Sequence, residues 1–281
     1  MFGTIIGDIA GSYYEVHNIK TKKFKFMDKK NSSFTDDTVA TLAIAKSLLE
    51  CEGNYEHLKE YTINNLVKIG RNHSQCGFGA DFFKWIIKDD HKPYNSYGNG
   101  AAMRVGVCGI VANSIEQAKM FAKIVTEISH NHPEAMKAAE CISVVVYMAK
   151  NGVSKEEIKK CINDNYYDIN FTLDEIRDKY DFNITCQGSV PQALEAFLES
   201  KSFEDAIRNA ISIGGDSDTI AAITGVIAGV YYGIPRNFIK KAMSFFDANY
   251  DLDLMEIINN FEEKYPTKLV LFNFNFNLFN R

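Results

Sequence analysis

The sequence lacks a C-x-x-C pair, a long apolar run and an excess of positive charge, and each absence removes a class of function. Its six cysteines, Cys51, Cys76, Cys108, Cys141, Cys161 and Cys186, are scattered through 281 residues. That spacing argues against a disulfide framework and a zinc site, and it fits a reducing cytoplasm. The longest apolar stretch, Ile220 to Tyr232, is too short to cross a bilayer, so no membrane partner is expected. Residues Met1 to Asp8 carry no basic region followed by a long apolar segment and do not read as a signal peptide. With 31 basic and 36 acidic side chains the net charge is -5, so a phosphate backbone is repelled and general nucleic-acid binding is not expected.

Strand-like alternation is nearly absent too. Helical spacing takes its place: Val39, Leu42, Ala43 and Leu48 share one face, as do Phe121, Ile124, Val125 and Ile128. Further helices are expected over Pro133 to Lys150, Ser154 to Ile162, Pro191 to Leu198, Phe203 to Ile213, Thr219 to Tyr232, Pro235 to Phe246 and Leu252 to Tyr265. Several of these open on Pro, Ser or Thr. Gly225 and Gly229, one helical turn apart, mark a central buried helix that another helix approaches closely, away from any site. The polar, aromatic stretch from Asn163 to Ser189 reads as a loop excursion with one short helix, Leu173 to Tyr180. The composition shows no division into two cores, and 1–265 is read as one domain.

Two segments stand apart. From Lys20 to Lys30, six lysines interleave with Phe24 and Phe26. They form either a solvated surface loop or a cationic rim guiding an anionic substrate toward Asp36. In the tail, 266–281, Phe272, Phe274, Phe276 and Leu278 alternate largely with asparagines. Edge pairing, self-association and a sticky terminus all remain open there, and the oligomeric state with them.

The chemistry concentrates in two acidic clusters far apart in sequence, Thr35-Asp36-Asp37-Thr38 and Gly214-Gly215-Asp216-Ser217-Asp218-Thr219. Each precedes an apolar-periodic helix, where a single aspartate serves as a cap. Capping needs one oxygen, whereas each cluster offers two carboxylates and hydroxyls. If the clusters converge, four carboxylates share a pocket and repel one another unless protons or cations compensate. Two divalent ions balance four charges, and an all-oxygen ligand set favours Mg²⁺ or Mn²⁺. Such a pair can polarise a hydroxyl and a nucleophilic water, as hydrolysis requires.

These residues resemble the ADP-ribosylglycohydrolase family, in which the dinitrogenase-reductase-activating glycohydrolase is a founding type. The resemblance rests on Gly7-Asp8-Ile9-Ala10-Gly11-Ser12-Tyr13-Tyr14-Glu15, Phe34 to Thr38, Gly98-Asn99-Gly100-Ala101-Ala102-Met103-Arg104, Ser129-His130 and Gly214 to Thr219, in the family's order. It implies a single orthogonal, all-α multi-helix domain with a central binuclear metal cleft. Two Mg²⁺ or Mn²⁺ ions would be held there by Thr35, Asp36, Asp37, Asp216, Asp218 and Thr219.

The implied reaction is hydrolysis of the glycosidic bond between ADP-ribose and an acceptor, with an ADP-ribosylated side chain or free ADP-ribosyl compound as partner. Asp36, Asp37 and Glu15 are the implied catalytic residues, Glu15 as acid/base. Ser96, Tyr97, Gly98, Asn99 and Gly100 match the diphosphate- and ribose-binding loop, where glycines allow close approach and free N–H groups meet oxygens. His130 matches a histidine that contacts the diphosphate or distal ribose. His132 lacks a third ligand for zinc. Arg104 either adds charge to the loop or is structural. The alternative is a non-catalytic ADP-ribose-binding or structural protein on the same scaffold, against which the complete ligand set argues.

Overall fold

In the computed structural model, residues 1–270 are described. They are helical, with no strand and only two isolated bridges, Gly98 with Thr185 and Ile234 with Leu269. The all-helical expectation holds. The tail residues Leu271 to Asn280, where strand-like alternation is expected, lie outside the described part.

The helices are α1 (Phe2–Val16), α2 (Asp36–Glu50), α3 (Leu58–Asn72), α4 (Ala80–Ile87), α5 (Gly100–Met103), α6 (Gly106–Val111), α7 (Ile115–Glu127) and α8 (Pro133–Lys150). They continue as α9 (Lys155–Asn165), α10 (Leu173–Ile176), α11 (Cys186–Leu198), α12 (Phe203–Ser212), α13 (Ser217–Tyr232), α14 (Arg236–Met243) and α15 (Leu252–Lys264). Side-chain caps start many of them: Ser114, Ser154, Thr172, Thr185 and Ser202 each accept a hydrogen bond from an N–H in the first turn.

Helix α13 is the axis of the molecule. Its residues from Ser217 to Gly229 are all buried, and it packs against α1, α8, α11 and α12. The partner implied by Gly225 is α1, which no expected helix covered. A side-chain carbon on Gly7 would lie 2.0 Å from the Ala221 carbonyl oxygen, and one on Gly225 would lie 2.2 Å from that of Gly3. Only a stripe without side chains lets these two backbones touch. That contact sets the C-terminal half of α1, with Asp8 and Glu15, beside the start of α13.

Other boundaries shift for local reasons. Helix α11 starts at Cys186, five residues ahead of Pro191, which sits inside the helix. Thr185 caps that earlier start, and the proline leaves one backbone carbonyl without its helical donor. The short α10 ends at Ile176, well before Tyr180.

The lysine-rich segment does not line the cleft; it is a surface loop whose lysines are mostly exposed, several of them tied to other parts of the fold. Lys20 Nζ donates to the carbonyls of Tyr180 and Ile213, Lys22 pairs with Asp205, and Lys29 reaches the Ser244 carbonyl. Arg208 lies over the rings of Phe24 and Phe26, and Met27 is fully buried. Through Lys20, Lys22 and Lys29 the segment straps α12 and α14 to the body, while Lys23, Lys25 and Lys30 stay exposed. All six cysteines are free thiols. No helix among the described residues is long and apolar enough to cross a membrane.

Candidate active site

Two helix starts and the last turn of α1 meet at one cleft. Thr35 caps α2, its hydroxyl accepting from the Asp37 N–H, which places Asp36 and Asp37 in the first turn. Gly214 and Gly215 both take positive φ, +69° and +80°, in the turn ahead of α13. A side chain on Gly215 would also strike the Tyr180 ring at 2.4 Å, so conformation and space both require glycine. The turn delivers Asp216 as the cap residue of α13 and Asp218 in its first turn.

The two acidic turns, 182 residues apart, touch directly. Thr219 Oγ1 donates to Asp37 Oδ2 at 3.2 Å. Carboxylate oxygens of Asp8, Asp37 and Asp218 lie within 4.8 Å of one another, as do those of Glu15, Asp216 and Asp218. Among the described residues these are the acidic groupings compact enough to surround a cation, and neither contains His or Cys.

Burial and crowding raise every carboxyl pKa here. For Asp36 burial dominates, reinforced by Asp8 and Asp216, and the value rises to about 8. Asp37 and Asp218 are pushed well up by burial and then by neighbouring aspartates. Burial also lifts Asp216, with the Asn99 amide opposing it. Glu15, half-buried, is raised by burial and then by Asp216 and Asp8. Asp37 Oδ1 is buried and accepts no hydrogen bond. An orphaned carboxylate oxygen beside three crowded aspartates is the environment that a hard divalent cation would relieve.

Asp8 is a site residue whose role the sequence reading left unassigned, although it lies in the first motif. It is fully buried, and its carboxylate accepts from the Thr35 N–H at 2.9 Å, the Thr35 hydroxyl at 2.8 Å, the Thr38 N–H at 3.1 Å and the Thr38 hydroxyl. These bonds hold the start of α2 in shape and only partly offset burial, which leaves the Asp8 pKa at about 6. Asn18 was likewise missed. Its amide donates to the carbonyls of Tyr14, Glu15 and Gly215 and accepts from the Gly215 N–H, so it staples the end of α1 to the turn before α13.

The cleft encloses about 440 Å³. Glu15, Thr35, Asp36, Asp216, Asp218 and Thr219 form one wall, and Ser96, Gly98, Asn99, Gly100 and His130 another. Asp37 lies behind the acidic wall. Tyr97 is half-exposed with its ring against His132 and does not line the cavity. The glycine loop is tied to the segment before α11: the Asn99 N–H donates to the Ile184 carbonyl and the Cys186 N–H to that of Tyr97, both at 2.9 Å. Since the Gly98 N–H also donates to Ser96 Oγ at 3.1 Å, two of the N–H groups expected to be free for a ligand are already paired.

Asn99 bridges the two walls, donating to Asp216 Oδ2 at 2.6 Å and to Ser189 Oγ at 3.1 Å. His130 is buried, with its Nε2 edge facing Gly98 and Gly100. His132 accepts from the Glu134 N–H as the cap of α8, which accounts for it without a metal.

An all-helical body with a cleft walled by convergent carboxylates and faced by a glycine loop has the polar, concave form of an enzyme site. The sequence profile of the ADP-ribosylglycohydrolase family matches residues 1–266. The chain belongs to that family and is a glycosidase by that membership. It is similar to the human ADP-ribosylhydrolase ARH3, 24% identical over 316 aligned positions that cover 83% of this chain and 84% of the relative. It is also similar to ADP-ribosylarginine hydrolase Tri1 of Pseudomonas putida, 28% identical over 156 positions that cover 51% of this chain and 42% of that protein. A solved structure titled as an ADP-ribosylglycohydrolase-related protein complex shares the fold, with a TM-score of 0.66 at 20% identity, covering 93% of this chain and 95% of that one.

Proposed function

We propose that the cleft is a metal-dependent active site that hydrolyses the glycosidic bond between ADP-ribose and its acceptor. The observation that carries this reading is the contact of Thr219 with Asp37, which joins both acidic turns around an unsatisfied carboxylate oxygen. Thr35, Asp36, Asp37, Asp216, Asp218 and Thr219 are the residues that would hold two Mg²⁺ or Mn²⁺ ions. Bound there, such ions supply charge that balances the carboxylates, grips vicinal ribose hydroxyls and polarises water.

The chain's own groups do the rest. The acidic wall orients the terminal ribose so that its anomeric carbon faces Glu15. Partial burial and then Asp216 and Asp8 raise the Glu15 pKa in the cation-free cleft, and its place on the cleft wall suits it to protonate the departing acceptor. Asn99 fixes Asp216, while Ser96, Gly98, Asn99, Gly100 and His130 receive the diphosphate and distal ribose. ADP-ribosylated protein side chains and free ADP-ribosyl compounds are the substrate class, and six free thiols suit a reducing cytoplasm.

The test is a panel of ADP-ribosylated acceptors, with arginine-linked, serine-linked and nucleic-acid-linked members, assayed with Mg²⁺, with Mn²⁺ and after EDTA. Release of ADP-ribose from at least one acceptor, lost on chelation and restored by metal, is expected. Release that survives exhaustive EDTA points to a metal-free paired-carboxylate mechanism and overturns the proposal. Binding of ADP-ribose with no release from any member leaves the non-catalytic alternative.

A further inference from the structure

Arg104 is fully buried, yet no carboxylate pairs with it. Burial opposes its charge and lowers its pKa, and the residue borders the cleft. One guanidinium nitrogen donates to Ser129 Oγ at 2.8 Å and to the Val125 carbonyl at 3.3 Å, while Nε and the other terminal nitrogen have no partner. The plane lies 5.1 Å from the centre of the Phe82 ring. A buried guanidinium without a counter-charge is costly, and an arginine kept only to fill space is easily replaced by an apolar side chain.

Its strongest bond leads to the cleft. Ser129 Oγ is 2.9 Å from His130 Nδ1. The Ser129 hydroxyl owns one hydrogen, and an arginine can only donate, so the bond from Arg104 occupies an oxygen lone pair. The hydroxyl hydrogen then goes to Nδ1. The other assignment, with Nδ1–H donating to the serine, leaves that hydrogen with no acceptor in a residue that is fully buried. Nδ1 is therefore the acceptor, and the ring hydrogen sits on Nε2. That edge faces the glycine loop: the positions a side-chain carbon would take on Gly100 and Gly98 lie 3.5 and 3.7 Å from Nε2. Phe82 and Tyr94 pack on the ring, with centroids 5.7 and 5.6 Å away, and hold its orientation.

We propose that Arg104 is a positioning residue that acts through Ser129 to lock His130 in the Nε2–H tautomer, so that the ring offers one fixed donor to a ligand oxygen above Gly98 and Gly100. The donor matters because the Gly98 and Asn99 N–H groups are paired within the fold. Burial and the nearby Arg104 charge also hold the His130 pKa well below its usual value, which keeps the ring a neutral donor. The identity of the ligand rests on the functional reading above, whereas the tautomer does not.

The experiment is nitrogen-detected proton correlation on the metal-loaded protein with labelled histidine, the His130 signals being assigned by their loss in His130→Gln. ADP-ribose affinity is measured alongside. A single Nε2–H tautomer without ligand is expected. In Ser129→Ala the tautomers should mix and ADP-ribose should bind about tenfold more weakly, the scale of one misdirected hydrogen bond. Arg104→Lys, which keeps a charged donor toward Ser129, should restore most of the single-tautomer signal that Arg104→Met loses. An Nδ1–H ring in the wild type overturns the proposal, as does a Ser129→Ala protein with unchanged tautomer and unchanged affinity. If the wild type fails to bind ADP-ribose while showing the single Nε2–H form, the lock stands and the functional reading falls.

Discussion

Asp37 concentrates the electrostatic problem of the site, being buried, adjacent in sequence to Asp36, in contact with Thr219 and left with one oxygen that bonds nothing. Replacing it with asparagine removes a repelling charge and a ligand atom together. Asp37→Asn is expected to raise the melting temperature of the metal-free protein while weakening Mn²⁺ binding at least about 100-fold, beyond the usual effect of an outer-shell change. Calorimetric titration and thermal melts in EDTA read the two effects, and an unchanged Mn²⁺ affinity would remove Asp37 from the ligand set. Glu15 lies at the edge of the same cluster. Glu15→Gln should lower kcat by about 10² to 10⁴, the usual reach of general acid–base catalysis, with Mn²⁺ affinity changed little; near-wild-type turnover would end its role. At this scale the sequence marked Asp36, Asp37, Asp216 and Asp218 by the crowding of like groups in each turn; folding gathers Asp37, Asp216 and Asp218 into compact groupings with Asp8 and Glu15, and Asp36 stands in neither. The sequence said less about Asp8 and Asn18, because their partners are mostly hydroxyls and backbone groups that only folding brings near.

Among the elements, the α1 and α13 pair decides whether the site exists. Gly3, Gly7 and Gly11 face backbone atoms of α13 at distances no side-chain carbon tolerates. Gly7→Ala should therefore cost about 1–3 kcal/mol through overpacking, read as a lower melting temperature, and should weaken Mn²⁺ binding because Asp8, and the start of α2 that it holds, shift away from Asp218. If the variant melts like the wild type and binds metal equally well, the close approach is not what positions the carboxylates. The same glycines explain why α1 was hard to read. Each lowers helix propensity, and α1 is buried from Phe2 to Gly11, so the one-sided pattern that exposes a surface helix is missing. Helices α8 and α12 read well because cap chemistry marks their starts and an apolar period marks their length. At α11, Pro191 imitated a helix start while the true cap, Thr185, stood six residues earlier.

Over the whole molecule, folding stability, protonation and cation binding are coupled. Unfolded aspartates release their protons near pH 4, but in the fold Asp36 holds its proton up to about pH 8. The metal-free fold therefore binds more protons than the unfolded chain across that window, and this contribution to stability falls as pH rises. Divalent ions compete with those protons, so the gain in melting temperature from Mg²⁺ or Mn²⁺ should grow between about pH 5 and pH 8; a gain independent of pH would mean that the ions bind elsewhere. The most direct measurement is an anomalous difference map from crystals saturated with Mn²⁺. Two peaks about 3.5–4 Å apart, between Asp36 and Asp37 on one side and Asp216 and Asp218 on the other, are predicted. A map with no peak between these turns at saturating Mn²⁺ would contradict the account.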